Sequence, residues 1–405
     1  MTDSSVPGQR PDPVLPVRQA APEAATAAGQ LMERVLLLDR PCYVDQPPPY
    51  LDPDHGGLVL CGQNAGRQAR QLRLMGYQGL LVIDPAAYES AAATSDEPFA
   101  PPPEGQLFGS SMNDVLQEQL DCGANIAMTP TRYVHAGEAD ALKAVMREAQ
   151  AIERNDVVVA IPVAVAWLRD ESLLQLAAAL KRIRQPKALI LGGQYDPMDT
   201  ANAPKNLRFL VEKVPKLGLW RTDLAAFDCL AYGGLFAAIG AGGSLRHLTP
   251  QDEKPQASSF PHWPAVLVPD LMTFVRANTL ARRYANTVPP RCSCQICDGS
   301  FIDRFNHLGS EARAEAHAHN SATWSSWLPD FFGHGSLGDR QQWWKNRCGA
   351  AIDAHEAENA RIQQPKAFKP TPALKAWATL PVSQPPSSGT MDSSFTEAEE
   401  NDQPR

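Results

Sequence analysis

From residue 57 onward, short apolar runs alternate with polar or glycine-containing turns and with longer segments whose apolar positions recur at helical spacing. The runs fall at 58–61, 80–83, 125–128, 157–161, 188–191, 217–220, 236–239 and 265–268. Amphipathic segments between them include 66–75, 138–154, 171–184 and 223–232. Near-continuous apolar strands joined by amphipathic helices are the pattern of a parallel sheet, because crossover helices cover both of its faces. Alternation alone fits either a doubly wound sheet or a closed barrel. Eight runs, followed by a further compact segment, favour an α/β fold of the TIM type, a (β/α)8 barrel with a C-terminal subdomain.

Composition changes this picture little. At 405 residues and 43% hydrophobic content the chain can bury a large core, and its formal charge of −8 argues against a basic nucleic-acid coat without excluding a local basic groove. The longest strongly apolar run, 157–168, is too short for a membrane span and contains Pro162, so no membrane anchor is expected. Residues 1–16 are rich in Pro, Ser and Asp and lack the basic and apolar regions of a signal peptide. Residues 363–405 combine Pro, Ser, Gln and an acidic run. Both ends read as disordered, and the protein as cytoplasmic with reduced thiols.

Three of eight cysteines crowd into Arg291-Cys292-Ser293-Cys294-Gln295-Ile296-Cys297, and a helical segment ending His317-Ala318-His319-Asn320 follows. Thiolates at i, i+2 and i+5 on a tight turn can face one ion, and a histidine from the next helix would complete a tetrahedral Cys₃His site. The closed ligand set suggests a structural Zn2+ held by Cys292, Cys294, Cys297 and His319. His317 lies two residues earlier and should point elsewhere on the helix, while His307 is the fallback ligand. Disulfides and an iron–sulfur cluster using Cys348 are the competing readings. The boundaries that follow are 1–50, a mostly disordered Pro-rich segment; 51–290, the barrel; 291–350, the zinc-binding subdomain; and 351–405, a largely disordered tail.

The order Cys-x-Cys-x-x-Cys, then Phe305-Asn306-His307-Leu308, then His319-Asn320 resembles the zinc-binding insertion of the tRNA-guanine transglycosylase superfamily, which exchanges guanine for 7-deazaguanines. The cysteine spacing matches, and the gap to the histidine is shorter than in the family. The resemblance implies a barrel with chemistry at the strand ends, where βα loops begin. After the second run stands Asp84-Pro85-Ala86-Ala87-Tyr88, similar in context to the family aspartate that acts on the base; a turn-forming aspartate before proline is the other reading. Thr129-Pro130-Thr131 has no carboxylate where the family recognises the purine edge, and Pro162 to Trp167 lacks the family glutamine. Gly192-Gly193-Gln194-Tyr195-Asp196 is closer to the family's base-contacting loop: glycines allow close backbone approach, and Gln194 and Asp196 could bond a purine.

A base exchange needs a carboxylate to attack the sugar C1′ and a second group for the proton of the base. The family string Phe-Asp-Cys occurs as Phe227-Asp228-Cys229, but it lies in the helix before the next strand. Asp223 directly follows a run and ranks first as nucleophile, ahead of Asp228 and Asp196, although a helix N-cap is its plain alternative. Gly240-Ala241-Gly242-Gly243 with Arg246 suggests a backbone nest and a guanidinium for a phosphate. Trp324, Trp327, Phe331, Phe332, Trp343 and Trp344 crowd near Arg340, Lys345 and Arg347; packing of the metal lobe is preferred over base stacking. The expected function is a divergent transglycosylase exchanging a guanine-type base in tRNA or DNA, with a free purine or 7-deazapurine as co-substrate and a possible homo- or hetero-oligomeric state. A catalytically inactive zinc barrel serving as a nucleic-acid-binding or partner subunit is the alternative, and an unrelated barrel enzyme acting on a small molecule the third.

Overall fold

The computed structural model describes residues 25–100, 111–253 and 262–382. Its centre is a sheet of eight parallel strands: β1 (Arg34–Asp39), β2 (Leu58–Cys61), β3 (Leu81–Asp84), β4 (Ala127–Met128), β5 (Val157–Ala164), β6 (Lys187–Gly192), β7 (Leu217–Thr222) and β8 (Phe236–Gly240). Each pairs with its neighbour in sequence, and β1 also pairs with β8 through Leu36 opposite Ala238. Between β3 and β4 a parallel bridge joins Val82 to Ile126, and Asn125 N donates to Leu81 O at 2.8 Å. The strand order is therefore cyclic, and the sheet closes as a TIM-type (β/α)8 barrel. All eight residues of β5 are buried, including Pro162, which fits a strand covered by side chains inside and helices outside.

The helices are α1 (Ala27–Leu31), α2 (Ala65–Leu74), α3 (Met112–Asp121), α4 (Ala139–Gln150), α5 (Asp170–Leu180), α6 (Ala203–Lys213) and α7 (Ala225–Ala231) around the barrel. After β8 an antiparallel hairpin, β9 (Ala265–Val268) and β10 (Thr273–Arg276), leads into α8 (Ala277–Arg283) and the cysteine turn. The C-terminal part is helical: α9 (Ser310–Ser325), α10 (Leu328–Gly333), α11 (Leu337–Arg361) and α12 (Pro372–Thr379).

Three expectations about these elements are corrected. The apolar run 265–268 is not the eighth barrel strand but half of the hairpin, while the barrel's first strand, 34–39, lies inside the segment 1–50 expected to be disordered. Each run contains four consecutive apolar residues, 265–268 and 35–38, so pairing is what separates them. The tail expected from 351 onward is ordered as far as 382, because α11 continues to Arg361 and α12 returns to the barrel. There Tyr232 Oη donates to Pro381 O at 2.9 Å and Ala373 N to Asp199 Oδ1 at 3.3 Å. Residues 1–24 and 383–405 lie outside the described residues, and with them the disorder expected for 1–16 and for the end of 363–405, whereas 372–379 within that tail form α12.

The aromatic crowd is core, as preferred. Phe227 of α7 stacks on Trp344 of α11 with centroids 5.5 Å apart and meets Phe331 edge-on at 5.4 Å. These rings fasten the C-terminal helices onto the barrel, and buried aromatic pairs of this kind add about 0.5–1.5 kcal/mol each beyond their burial.

Candidate functional site

The turn 292–297 and helix α9 bring Cys292, Cys294, Cys297 and His319 together, all buried, with one ligand atom from each within 4.8 Å of the others. His319 Nδ1 lies 3.7, 3.4 and 3.3 Å from the three sulfurs. With Zn–S of about 2.3 Å and Zn–N of about 2.0–2.1 Å, a tetrahedral ion needs S···N edges of about 3.5 Å. The donor set therefore fits such an ion, and the group could hold a metal. His319 Nε2 lies 2.9 Å from Leu267 O, which places a proton on Nε2 and frees the Nδ1 lone pair for ligation. His307 is exposed and faces Glu315 at 3.6 Å, so it takes no part.

At the C-terminal end of the barrel the strand-end residues form three groups. Asp84, fully buried at the end of β3, accepts from Tyr88 Oη at 2.6 Å, Ala86 N at 2.8 Å and Trp220 Nε1 at 2.9 Å. Burial pushes its carboxyl above the ordinary range while these three bonds oppose the shift. Three donors enclose it, and none of its surface reaches solvent. Beside it Arg221 and Arg40 grip Glu89, Arg40 at 2.6 Å. Burial pushes Glu89 up, but the two guanidinium groups hold it below the usual carboxylate range. Arg221 has a φ of 54° where the β7–β8 register shifts, so a strained bulge turns it into the mouth, where Nη2 donates to Ser244 O at 2.7 Å.

The second group joins the ends of β6 and β7. Asp196 Oδ1 accepts from Met198 N at 2.9 Å, and Asp223 Oδ1 accepts from Ala225 N at 2.9 Å. Burial, and then the charge of Asp196, push Asp223 up to about 7; Asp196 is also raised by burial. Arg246 faces both. It is 9% exposed, lies 3.3 Å above the Phe274 ring, and donates to Gly240 O at 3.3 Å and Ala241 O at 2.9 Å. Burial pulls its pKa down and the two aspartates oppose that shift, so it remains their cation. Its expected phosphate role is corrected, because a guanidinium so enclosed cannot reach a polymer backbone. Gly240 serves the turn itself: a Cβ there would lie 2.2 Å from the Leu245 backbone.

The third group was not foreseen. His317 Nδ1 lies 3.2 Å from Asp39 Oδ2 at the end of β1, and its ring meets Tyr43 edge-on at 4.9 Å. His317 thus points away from the Cys₃His group, as expected, and into the mouth. Asp39 ends an apolar run just as Asp84 does, so the signal was present in the sequence once that run is counted as a strand.

Asp228 stays apart from these groups. It lies within α7 among the outer helices, bound to Arg208 of α6 at 2.6 and 3.0 Å and to Trp344 Nε1 at 3.1 Å. Every approach is taken by a structural partner, and the residue is removed from the candidate nucleophiles. The glycine pair is also reassigned. A Cβ on Gly192 would meet the Tyr133 ring at 2.5 Å, so that glycine serves packing against Tyr133, and Gly193 N is spent on Leu248 O at 2.9 Å. Gln194 is exposed beside Tyr195 at the rim. Between the loops after β3, β4 and β8 lies a cavity of about 450 Å³ lined by Tyr88, Ser90, Tyr133, His135 and Asp252. The Tyr133 hydroxyl is buried without a hydrogen-bond partner among the described residues.

No family model matches the sequence, and no curated protein matches it. Among solved structures, dihydrodipicolinate synthase from Oceanobacillus iheyensis is similar over 86% of this chain and 96% of its own, at 11% identity and a TM-score of 0.27. At that score the likeness carries no argument, and the barrel rests on the strand pairing above. Among the described residues no helix is long and apolar enough to cross a membrane.

Proposed function

We propose that the chain is a divergent transglycosylase that exchanges a guanine-type base in tRNA or DNA, with Asp196 and Asp223 as its reacting groups. The carboxyl pair supports this reading: two aspartates at adjacent strand ends share one cation, and Asp223 keeps its proton to about pH 7. Pairs of acids whose environments separate their protonation states divide the roles of nucleophile and proton carrier. In the first half-reaction Asp196 attacks C1′ and the C1′–N bond breaks. The bond's electron pair goes to the base nitrogen, which takes the proton of Asp223. In the second half the incoming base gives its N–H proton to Asp223, attacks C1′ and releases Asp196. Asp84 holds Trp220 behind it and keeps Tyr88 in place at the wall of the cavity, which borders β6 through Tyr133 and Gly192. The metal is proposed to be zinc, which suits a closed thiolate and imidazole set and would supply structure, not chemistry.

The test is to incubate the protein with labelled guanine and either tRNA or duplex DNA, alongside Asp196→Asn, Asp223→Asn and Asp84→Asn. Label should enter one polymer, fall at least about a hundredfold in the first two variants, and fall less in the third. The enclosure of Asp84 favours a second reading, a catalytically silent nucleic-acid-binding barrel. Binding of a polymer without any labelling would select it, and the absence of both labelling and binding would end the proposal.

A further inference from the structure

Helix α9 presents neighbouring side chains to different parts of the molecule. His319 enters the Cys₃His group. Asn320, 1% exposed, accepts from Leu267 N at 2.7 Å and donates to Ala265 O at 2.8 Å and Ala241 O at 3.4 Å. His317 reaches Asp39, and Gly242 packs so closely against it that a Cβ there would lie 2.9 Å from Nε2. The Ala241 carbonyl also receives Arg246 Nη2 at 2.9 Å, and Ala241 N donates to Leu38 O at 2.9 Å. One buried residue after β8 therefore touches the metal-ligand helix, the cation of the carboxyl pair and the strand that closes the barrel.

We infer that Asn320 and His317 are positioning residues that make the loading of the Cys₃His group set the segment 240–246, and with it Arg246. A helix moves as a unit over one turn, so fixing His319 to three cysteines fixes the residues on either side of it. Released from the cysteine turn, α9 would lose the three sulfur contacts that fix the position of His319. The Asn320 and His317 bonds would then be shared among more than one helix position. This concerns where Arg246 sits and does not depend on the reaction assigned to the mouth. A metal that merely stabilised its own loop would instead order 292–300 and leave the β8 turn as it was.

The experiment is amide hydrogen exchange on the full chain, metal-loaded, stripped with a thiol-competing chelator, and metal-loaded with Asn320→Ala or His317→Gln. Stripping should speed exchange at 240–246 as well as at 292–300. Metal-loaded Asn320→Ala, with its metal content unchanged, should speed 240–246 by about tenfold while sparing 292–300. Wild-type exchange at 240–246 in that variant overturns the inference, as does a stripped protein in which only 292–300 loosens. If stripping unfolds the whole chain, the loaded variants decide. If Asn320→Ala fails to fold, His317→Gln decides by its exchange at 39–43 and 240–246, and wild-type rates in both segments overturn the inference.

Discussion

Asp223 and Asp228 stand five positions apart and serve different ends. The first faces another carboxyl at the mouth; the second is neutralised by Arg208 in the helical ring. Because the folded pKa of Asp223 is raised to about 7, its contribution to stability is whole below the ordinary carboxylate range and is lost as pH rises through 7. Asp223→Asn, which imitates the protonated acid, should therefore raise the melting temperature more at pH 8 than at pH 5. Thermal unfolding at the two pH values checks this, and equal shifts at both would contradict it. Asp228→Ala leaves a buried guanidinium unpaired and should cost about 3–5 kcal/mol in urea unfolding, with the activity of the folded fraction unchanged. Cys294→Ser should lose the metal and much of the folded yield, read by metal analysis of the purified chain. Sequence spacing was enough to find the four residues of the Cys₃His group, which could hold a metal. It could not show that Arg246 would be buried or that Asp84 would be enclosed, because both depend on Phe274 and Trp220 arriving from distant strands.

Among the elements, β1 carries the largest consequence. Its five buried residues, Val35–Asp39, lie between β2 and β8, so a chain beginning at residue 51 would expose two strand edges and the barrel interior. Such a truncation should yield no folded protein by circular dichroism, whereas a chain beginning before α1 and containing β1 retains the closing strand. A folded 51–405 fragment would show that the seam is dispensable. The run 34–39 was legible as apolar, yet it sits between proline-rich flanks whose composition reads as disorder. Conversely, 265–268 passed every local criterion for a barrel strand and pairs with β10 instead. Strand register is a long-range property, and the bulge that places Arg221 leaves no mark in the local pattern.

For the molecule as a whole, barrel class followed from the alternation of runs and helices, while the way the C-terminal helices fold back did not. No periodicity indicates that α12 would bond Asp199 near the mouth or that α9 would reach Asp39. These returns give the molecule a temporal order. During synthesis β1 emerges first, yet its second neighbour, β8, follows about 200 residues later, which at 5–20 residues per second is roughly ten to forty seconds. Even then the mouth lacks the helices that hold its β1 and β6 loops. A ribosome-bound chain thus carries Asp39 in an unfinished setting until α9 has been made, because the first strand's aspartate waits for His317, 278 positions downstream, to reach its final contact.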